Sequence, residues 1–165
     1  MARAIITQTE EEYKFNIHNN EKIKEEWKLM ESKGINIYEN QQKSGEELVE
    51  TFETNREKIL SLVILEPQGG KTGILCSSIK EFMNIGTPYE NIFIITGLSS
   101  KDWINQTKER FPIEIQNNIY HRNTLDNFVN KVKNKKNILI IIDESQYACL
   151  KNQAIHKAFY KIGIM

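Results

Sequence analysis

The chain has 165 residues, with 22 basic and 22 acidic side chains and a formal net charge of zero. This length suits one domain with a hydrophobic core, and the balanced charge excludes a polybasic protein, because nonspecific phosphate binding needs a surplus of lysine and arginine. No apolar run approaches the ~20 residues that a membrane helix needs, and the acidic N-terminal segment does not resemble a signal peptide. We therefore expect an intracellular, soluble protein with no membrane contact.

The N-terminal third of the chain predicts two amphipathic helices after a loose polar arm. Residues 1–18 are polar and irregular, whereas residues 20–33 and 41–58 carry apolar side chains at helical spacing. The apolar positions are Ile23, Trp27 and Met30 in the first helix and Leu48, Val49 and Phe52 in the second. Stripes of this kind belong to a core more often than to a partner-binding face, so we expect both to be buried.

From residue 60 onward, short β-branched runs alternate with helical segments. The runs predict strands at 60–65, 91–96, 113–120 and 137–143, and the segments between and after them predict helices at 71–84, 101–110, 124–132 and 152–161. The run Ile138–Ile142 is apolar on both faces, which is typical of a parallel strand covered by helices on both sides. The alternation predicts an α/β fold with a mainly parallel sheet flanked by helices.

A glycine-rich segment follows the first predicted strand and opens the next helix. Residues 66–72 read Glu-Pro-Gln-Gly-Gly-Lys-Thr and end in the GK[ST] of a phosphate-binding loop. Glycine N–H groups can close on phosphate oxygens, Lys71 would reach the β and γ phosphates, and Thr72 would offer its hydroxyl to Mg²⁺. The residues expected to bind the nucleotide here are Gln68, Gly69, Gly70, Lys71, Thr72 and Gly73.

The segment departs from the full phosphate-loop pattern at one position. GxxxxGK[ST] puts its first glycine at position 65, where this chain has Leu65. The competing interpretation is an ordinary glycine-rich turn between a strand and a helix. The placement of GGKT between an apolar run and a helix favours the phosphate loop, and with it ATP as a cofactor.

An acidic pair follows the strongest predicted strand. Asp143 would hold the water shell of Mg²⁺, and Glu144 would orient or deprotonate the water that attacks the γ-phosphate. A small-molecule kinase needs the first acid but usually not the second, so the pair favours hydrolysis of a nucleoside triphosphate. The competing interpretation is that Asp143 caps the next helix and Glu144 is a solvated neighbour.

With both motifs in view, residues 38–160 resemble the first RecA-like domain of superfamily 2 DEAD/DEAH-like helicases. The resemblance is carried by YENQQKSGEELVETF at 38–52, LVILEPQGGKTG at 62–73, IFIITGLSSKDWINQ at 92–106 and DESQ at 143–146. In this family the leading glycine of the phosphate loop is commonly absent. The sequence also resembles divergent helicase-like proteins of large DNA viruses, which adds the virion to the expected locations.

The resemblance implies a domain organisation and further nucleotide contacts. It implies a helical extension at residues 1–37 and a P-loop NTPase domain of RecA-like type at residues 38–165. It also implies that Gln41, or alternatively Gln42, contacts adenine, and that Gln146 links the nucleotide to a second domain.

The resemblance further implies a nucleic-acid partner, either DNA or RNA. In the family, the loop after the second strand contacts the nucleic-acid backbone, and here that loop carries Thr96, Gly97 and Ser99. The family's second RecA-like domain does not follow Gln146 before the sequence ends. We therefore expect a fragment, a second domain supplied by another chain, or a protein without motor activity; ATP hydrolysis to ADP and phosphate would be slow in a first domain alone.

Other function classes and other residues stay open at this level. A small P-loop phosphotransferase and a non-motor remnant that binds nucleic acid or a partner protein are the alternatives to an NTPase. A basic cluster precedes the last predicted strand and consists of Lys131, Lys133, Lys135 and Lys136. It is either a solvated helix end or a phosphate contact. Trp103 reads either as a core residue or as a platform for a base.

Overall fold

The computed structural model describes residues 9–32, 36–54, 70–144 and 150–163. The predicted strand at 60–65 lies outside these ranges. So do three of the predicted nucleotide-binding residues, Gln68, Gly69 and Gln146, whose roles stay predictions.

The chain divides into two compact units. One holds the described residues up to Pro88, and the other begins at Tyr89. The domain boundary predicted between residues 37 and 38 stays a prediction. None of the described helices in either unit is long and apolar enough to cross a membrane.

Three helices form the described part of the first unit. They are α1 (Glu10–Ser32), α2 (Glu39–Thr54) and α3 (Lys71–Asn84). The third has the bounds that the sequence predicts. Ile23 and Trp27 of α1 and Val49 of α2 are buried, as the apolar spacing predicts, while Phe52 is half-buried with its ring 5.9 Å from that of Phe82.

Helix α1 begins earlier than predicted, because a capping box starts it. The Oγ1 of Thr9 accepts the backbone N–H of Glu12 at 3.1 Å, and the Oε2 of Glu12 accepts the backbone N–H of Thr9 at 2.9 Å. This reciprocal pair satisfies two N–H groups at the helix start. The predicted loose arm is therefore wrong for residues 10–18, and the Thr-x-x-Glu motif was the overlooked signal.

Close helix contacts and a buried asparagine hold the first unit together. The Oγ of Ser77 in α3 donates to the carbonyl of Gln42 in α2 at 3.1 Å, where Gly45 leaves no space for a β-carbon. The fully buried amide of Asn20 donates to the carbonyls of Met83 at 3.1 Å and Thr87 at 3.0 Å. One of these carbonyls lies in the last turn of α3 and the other just after the helix, so the two bonds tie α1 to that end of α3.

The second unit is an α/β unit built on a parallel sheet, as predicted. In chain order its elements are β1 (Ile92–Thr96), α4 (Lys101–Lys108), α5 (Ile113–Gln116), β2 (Ile119–His121), α6 (Leu125–Val132), β3 (Leu139–Asp143) and α7 (Ala154–Lys161). The described strands lie in the order β2-β1-β3, and both pairings are parallel.

The strand predicted at 113–120 is wrong for its first half. Residues Ile113–Gln116 form the short helix α5, and only Ile119–His121 form a strand. The turn begins at Pro112, whose carbonyl accepts the N–H of Gln116 at 3.0 Å, and the side chain of Gln116 donates back to the Phe111 carbonyl at 2.7 Å. The alternation of apolar and polar residues in IEIQ fits a single helical turn that buries Ile115 as well as it fits a strand.

Helices α6 and α7 cover one face of this sheet. Phe93 and Ile95 of β1 pack there with Tyr120 and with buried residues of both helices, and Ile140 and Ile142 of β3 lie against the same cluster. The apolar face predicted for α6 is confirmed by its four buried residues, Leu125, Phe128, Val129 and Val132.

The central strand is not the one with the strongest apolar run. Every residue of β1 is buried, whereas every residue of β3 is only half-buried. Among the described residues, β3 pairs along one edge only, with β1. The expectation that the run Ile138–Ile142 is covered on both faces is therefore wrong for β3, and β1 is the strand whose residues are all buried.

The basic cluster lies at the amino edge of the sheet, where its strands begin. Lys131 Nζ donates to Asn118 Oδ1 at 2.6 Å, and Lys135 Nζ donates to Asn91 Oδ1 at 2.8 Å. Burial, followed by the charge of Lys135, lowers the pKa of Lys131. These two lysines therefore fasten the loops that lead into β1 and β2.

Candidate functional site

The sheet has a switch point between β1 and β3. After β1 the chain runs to one neighbouring position, β2, and it then crosses back to place β3 on the opposite side of β1. In open parallel sheets, ligands bind beyond the carboxyl ends of the strands at such a reversal. The carboxyl edge, where the three strands end, is therefore the candidate site of the second unit.

Three polar side chains form a row across this carboxyl edge. Thr96 is paired in register with His121 on one side and with Asp143 on the other. Registered neighbours in a parallel sheet point to the same face, so all three belong to the face opposite the α6 and α7 cluster. Thr96 is fully buried, and the two flanking residues are half-buried.

The carboxylate of Asp143 is held by donors on both of its oxygens. Trp103 in α4 donates its indole Nε1–H to Oδ2 at 3.0 Å, and the backbone N–H of Glu144 donates to Oδ1 at 3.0 Å. An ionised carboxylate has about four lone-pair sites, so each oxygen can still accept a water or a cation. The predicted metal residue is thus oriented and keeps coordinating capacity.

Glu144 adopts a left-handed backbone conformation with φ of 53°. This conformation is uncommon for a residue with a β-carbon and costs about 1–2 kcal/mol. Strained residues of this kind cluster at functional sites. The sequence predicts Glu144 as the residue that activates water, and the structure adds a distinctive backbone at that position.

Trp103 is a member of the site that the sequence analysis missed. It is half-buried rather than a fully buried core residue, and stacking on a base stays a prediction. The cap of α4 sets its place, because the Oγ of Ser100 accepts the Trp103 backbone N–H at 3.3 Å. Its partner lies 40 residues further along the chain, beyond the reach of local patterns.

The predicted nucleic-acid loop is only partly accessible. Thr96 and Gly97 are buried, and the Oγ1 of Thr96 accepts the backbone N–H of Leu98 at 3.3 Å. Ser99 is exposed. Of the three predicted contact residues, Ser99 is therefore the one that a ligand can reach without a rearrangement.

The candidate site of the first unit is the start of α3. Gly70 precedes the helix in a left-handed conformation with φ of 79°, and its carbonyl accepts the N–H of Gly73 at 2.9 Å. Lys71 occupies the first helical position and is exposed, and Thr72 follows half-buried. A helix N-terminus directs N–H groups and a partial positive charge outward, which suits a phosphate.

The side chain of Gln41 lies against this helix start. A β-carbon on Gly70 would overlap the Gln41 amide nitrogen, and one on Gly73 would overlap its amide oxygen. The same oxygen accepts the backbone N–H of Tyr38 at 3.0 Å. The structure thus places Gln41 beside Gly70 and Gly73 of the predicted phosphate loop, while its contact with adenine stays a prediction.

The two predicted metal ligands, Asp143 and Thr72, belong to different units of the chain. The described residues contain no group of three or more histidine, cysteine, aspartate or glutamate side chains that could hold a metal ion. Magnesium usually keeps several waters and takes one or two carboxylates plus substrate phosphates. A carboxylate and a hydroxyl are each of a type that can take part in such a site, and the joint binding of a metal by Asp143 and Thr72 stays a prediction.

Comparisons of the chain with protein-family models, with curated proteins and with solved structures give no match.

Proposed function

We propose that this chain is the ATP-binding domain of a nucleic-acid-dependent NTPase of the helicase or translocase type, with Mg²⁺ as its metal. The proposal includes the finer fold assignment, a P-loop NTPase of RecA-like type, with which the parallel α/β sheet is compatible. The observation that carries it is the carboxyl end of β3, where the doubly held Asp143 precedes the left-handed Glu144.

In this proposal the two acids have separate tasks. Asp143 orients the water shell of the metal with a carboxylate whose plane is fixed by its two N–H donors. Glu144 accepts a proton from the water that attacks the γ-phosphate, or aligns that water for attack. Bound Mg²⁺ supplies neutralisation of the charge on the β and γ phosphates.

The start of α3 supplies the phosphate contacts. Lys71 carries its positive charge on the first turn of the helix, where the helix dipole adds to it. Gly70 and Gly73 leave room for the side chain of Gln41, whose amide packs against both glycines. Thr72 offers a hydroxyl to the metal.

The loop after β1 would contact nucleic acid through the exposed Ser99. The zero net charge of the chain agrees with a few loop contacts rather than a broad basic face. Lys131 and Lys135 at the amino edge agree with this, because they bond to asparagines of the protein itself.

The experiment that tests the proposal compares ATP turnover by the wild type and Glu144→Gln, with and without single-stranded DNA or RNA. The wild type should hydrolyse ATP faster with nucleic acid, and Glu144→Gln should bind ATP but lose turnover. Phosphoryl transfer to an acceptor other than water would identify a phosphotransferase. Nucleic-acid binding without any ATP binding would identify a non-motor binding protein and would refute the proposal.

A further inference from the structure

The indole of Trp103 donates to Asp143 from a different element, the helix α4. Glu144 is the next residue of the same chain segment, so its bond to Oδ1 is local. Trp103 reaches Oδ2 from the first turn of α4, at 3.0 Å. We propose that Trp103 is a positioning residue that fixes the Asp143 carboxylate for magnesium-dependent nucleotide binding; this inference rests on the function proposed above.

Two donors are needed to fix a carboxylate plane. With the Glu144 N–H alone, the carboxylate of Asp143 could still turn about its Cβ–Cγ bond while keeping one hydrogen bond. A second donor on the other oxygen removes that rotation. Preorganised ligands bind a metal more tightly because the ordering cost is met during folding.

The position of Trp103 is itself fixed by the loop and by the helix cap. The Ser100 hydroxyl caps α4 through the Trp103 backbone N–H at 3.3 Å. The carbonyl of Leu98, in the same loop, accepts the backbone N–H of Arg122 at 3.0 Å and so ties the loop to the end of β2. The position of the indole is therefore set by α4 and by the loop before it, and not by β3, which carries Asp143.

The chemistry of the indole limits its role to positioning. An indole N–H is a donor only and has no lone pair for a cation. Trp103 can therefore act on a metal only through Asp143. Because each carboxylate oxygen keeps a further lone-pair site, the indole bond and metal coordination are compatible.

The test uses the two tryptophans of the chain, Trp27 and Trp103. Trp103→Phe removes the N–H and keeps an aromatic ring, and Trp27→Phe is the matched control in the first unit. ATP affinity is measured by calorimetry with Mg²⁺ and again with EDTA. We expect Trp103→Phe to weaken binding about tenfold with Mg²⁺ and to leave binding with EDTA unchanged, while Trp27→Phe preserves the ratio of the two affinities.

A purely structural role for Trp103 would change both affinities together, and that result would overturn the inference. Tighter Mg²⁺-dependent binding by Trp103→Phe would overturn it as well, since it would mean that the indole competes with the metal. If the wild type itself binds ATP equally with Mg²⁺ and with EDTA, the proposed function fails first. The two failures are therefore distinguishable.

A second measurement keeps the test valid if Trp103→Phe does not fold. In Trp27→Phe the indole of Trp103 is the only one left, and ¹⁵N labelling makes its N–H resonance directly observable. We expect this resonance to move when Mg²⁺ is added to the ATP-bound protein. A resonance that stays fixed at saturating Mg²⁺ would overturn the inference.

Discussion

Asp143 accepts the backbone N–H of its own successor, Glu144, at 3.0 Å, and Glu144 makes this bond from a left-handed backbone with φ of 53°. The turn therefore couples the orientation of one acid to the conformation of the next. Its strain must be offset by contacts elsewhere in the unit. This coupling can be tested separately for stability and for turnover.

Replacing Glu144 by glycine should leave the protein more stable than replacing it by alanine, and both changes should abolish ATP turnover. Glycine adopts positive φ without steric cost, so Glu144→Gly should gain about 1 kcal/mol in the free energy of unfolding relative to Glu144→Ala. Both variants lack the carboxylate and should lose hydrolysis. Urea unfolding followed by circular dichroism measures the difference, and equal stabilities would contradict a strained turn.

Asp143→Asn should destabilise the second unit and remove the magnesium dependence of ATP binding. The new amide places an NH₂ group opposite one of the two N–H donors, from Trp103 or Glu144, which leaves that donor without its acceptor. We expect a loss of about 1–3 kcal/mol in unfolding free energy. The control is Asp126→Asn, at an exposed ion pair with Lys161, which should change stability by less than about 1 kcal/mol.

Gly45→Ala should loosen the packing of α2 against α3. The new methyl would overlap the side chain of Ser77 and press on the backbone nitrogen of Ser78. Overpacking of this kind costs about 1–3 kcal/mol in unfolding free energy. The double variant Gly45→Ala, Ser77→Gly should recover part of the loss, and strictly additive effects in a double-mutant cycle would argue against the close contact.

The amino edge of the sheet offers a test that is independent of function. The nearly fully buried Asn118 donates to the carbonyl of Tyr89 at 3.0 Å and accepts from Lys131 at 2.6 Å. Asn118→Leu removes the donor to the Tyr89 carbonyl and one acceptor of Lys131, whose Nζ also donates to the Asn117 carbonyl at 3.2 Å. The loss should cost about 1–3 kcal/mol in unfolding free energy. The exposed Asn127 supplies the matched control, Asn127→Leu, which should stay near the wild type; equal losses in the two variants would rule out the bonded role.

The sequence predicted those helices and strands whose apolar residues follow a clear pattern. The apolar spacing of α6 located its buried face, and the β-branched runs located β1 and β3 and indicated a parallel sheet. The short segment at 113–116 was mispredicted because an alternating tetrapeptide after Pro112 fits a helical turn and a strand equally. The early start of α1 was readable from its capping box but was outweighed by the polar composition.

The residue types of the candidate site were predictable from the sequence, but the hydrogen bonds and the backbone conformation that hold them were not. The acidic pair and the GGKT segment stand in the sequence, and their context suggested their chemistry. The bond from Trp103 to Asp143 arises only when α4 is placed beside the end of β3, so no local signal announces it. The left-handed conformation of Glu144 is likewise set by tertiary structure, because glutamate has no intrinsic preference for it.

The proposed phosphate-binding loop at the start of α3 is tested most directly by calorimetry. The affinity for ATP in the presence of Mg²⁺ is measured for the wild type, for Lys71→Ala and for Lys43→Ala. Lys43 is an exposed helical lysine of the same unit and serves as the matched control. Loss of a charged phosphate contact should weaken binding by at least about tenfold in Lys71→Ala, while Lys43→Ala should bind as the wild type does. Unchanged affinity in Lys71→Ala would contradict a phosphate-binding loop at the start of α3.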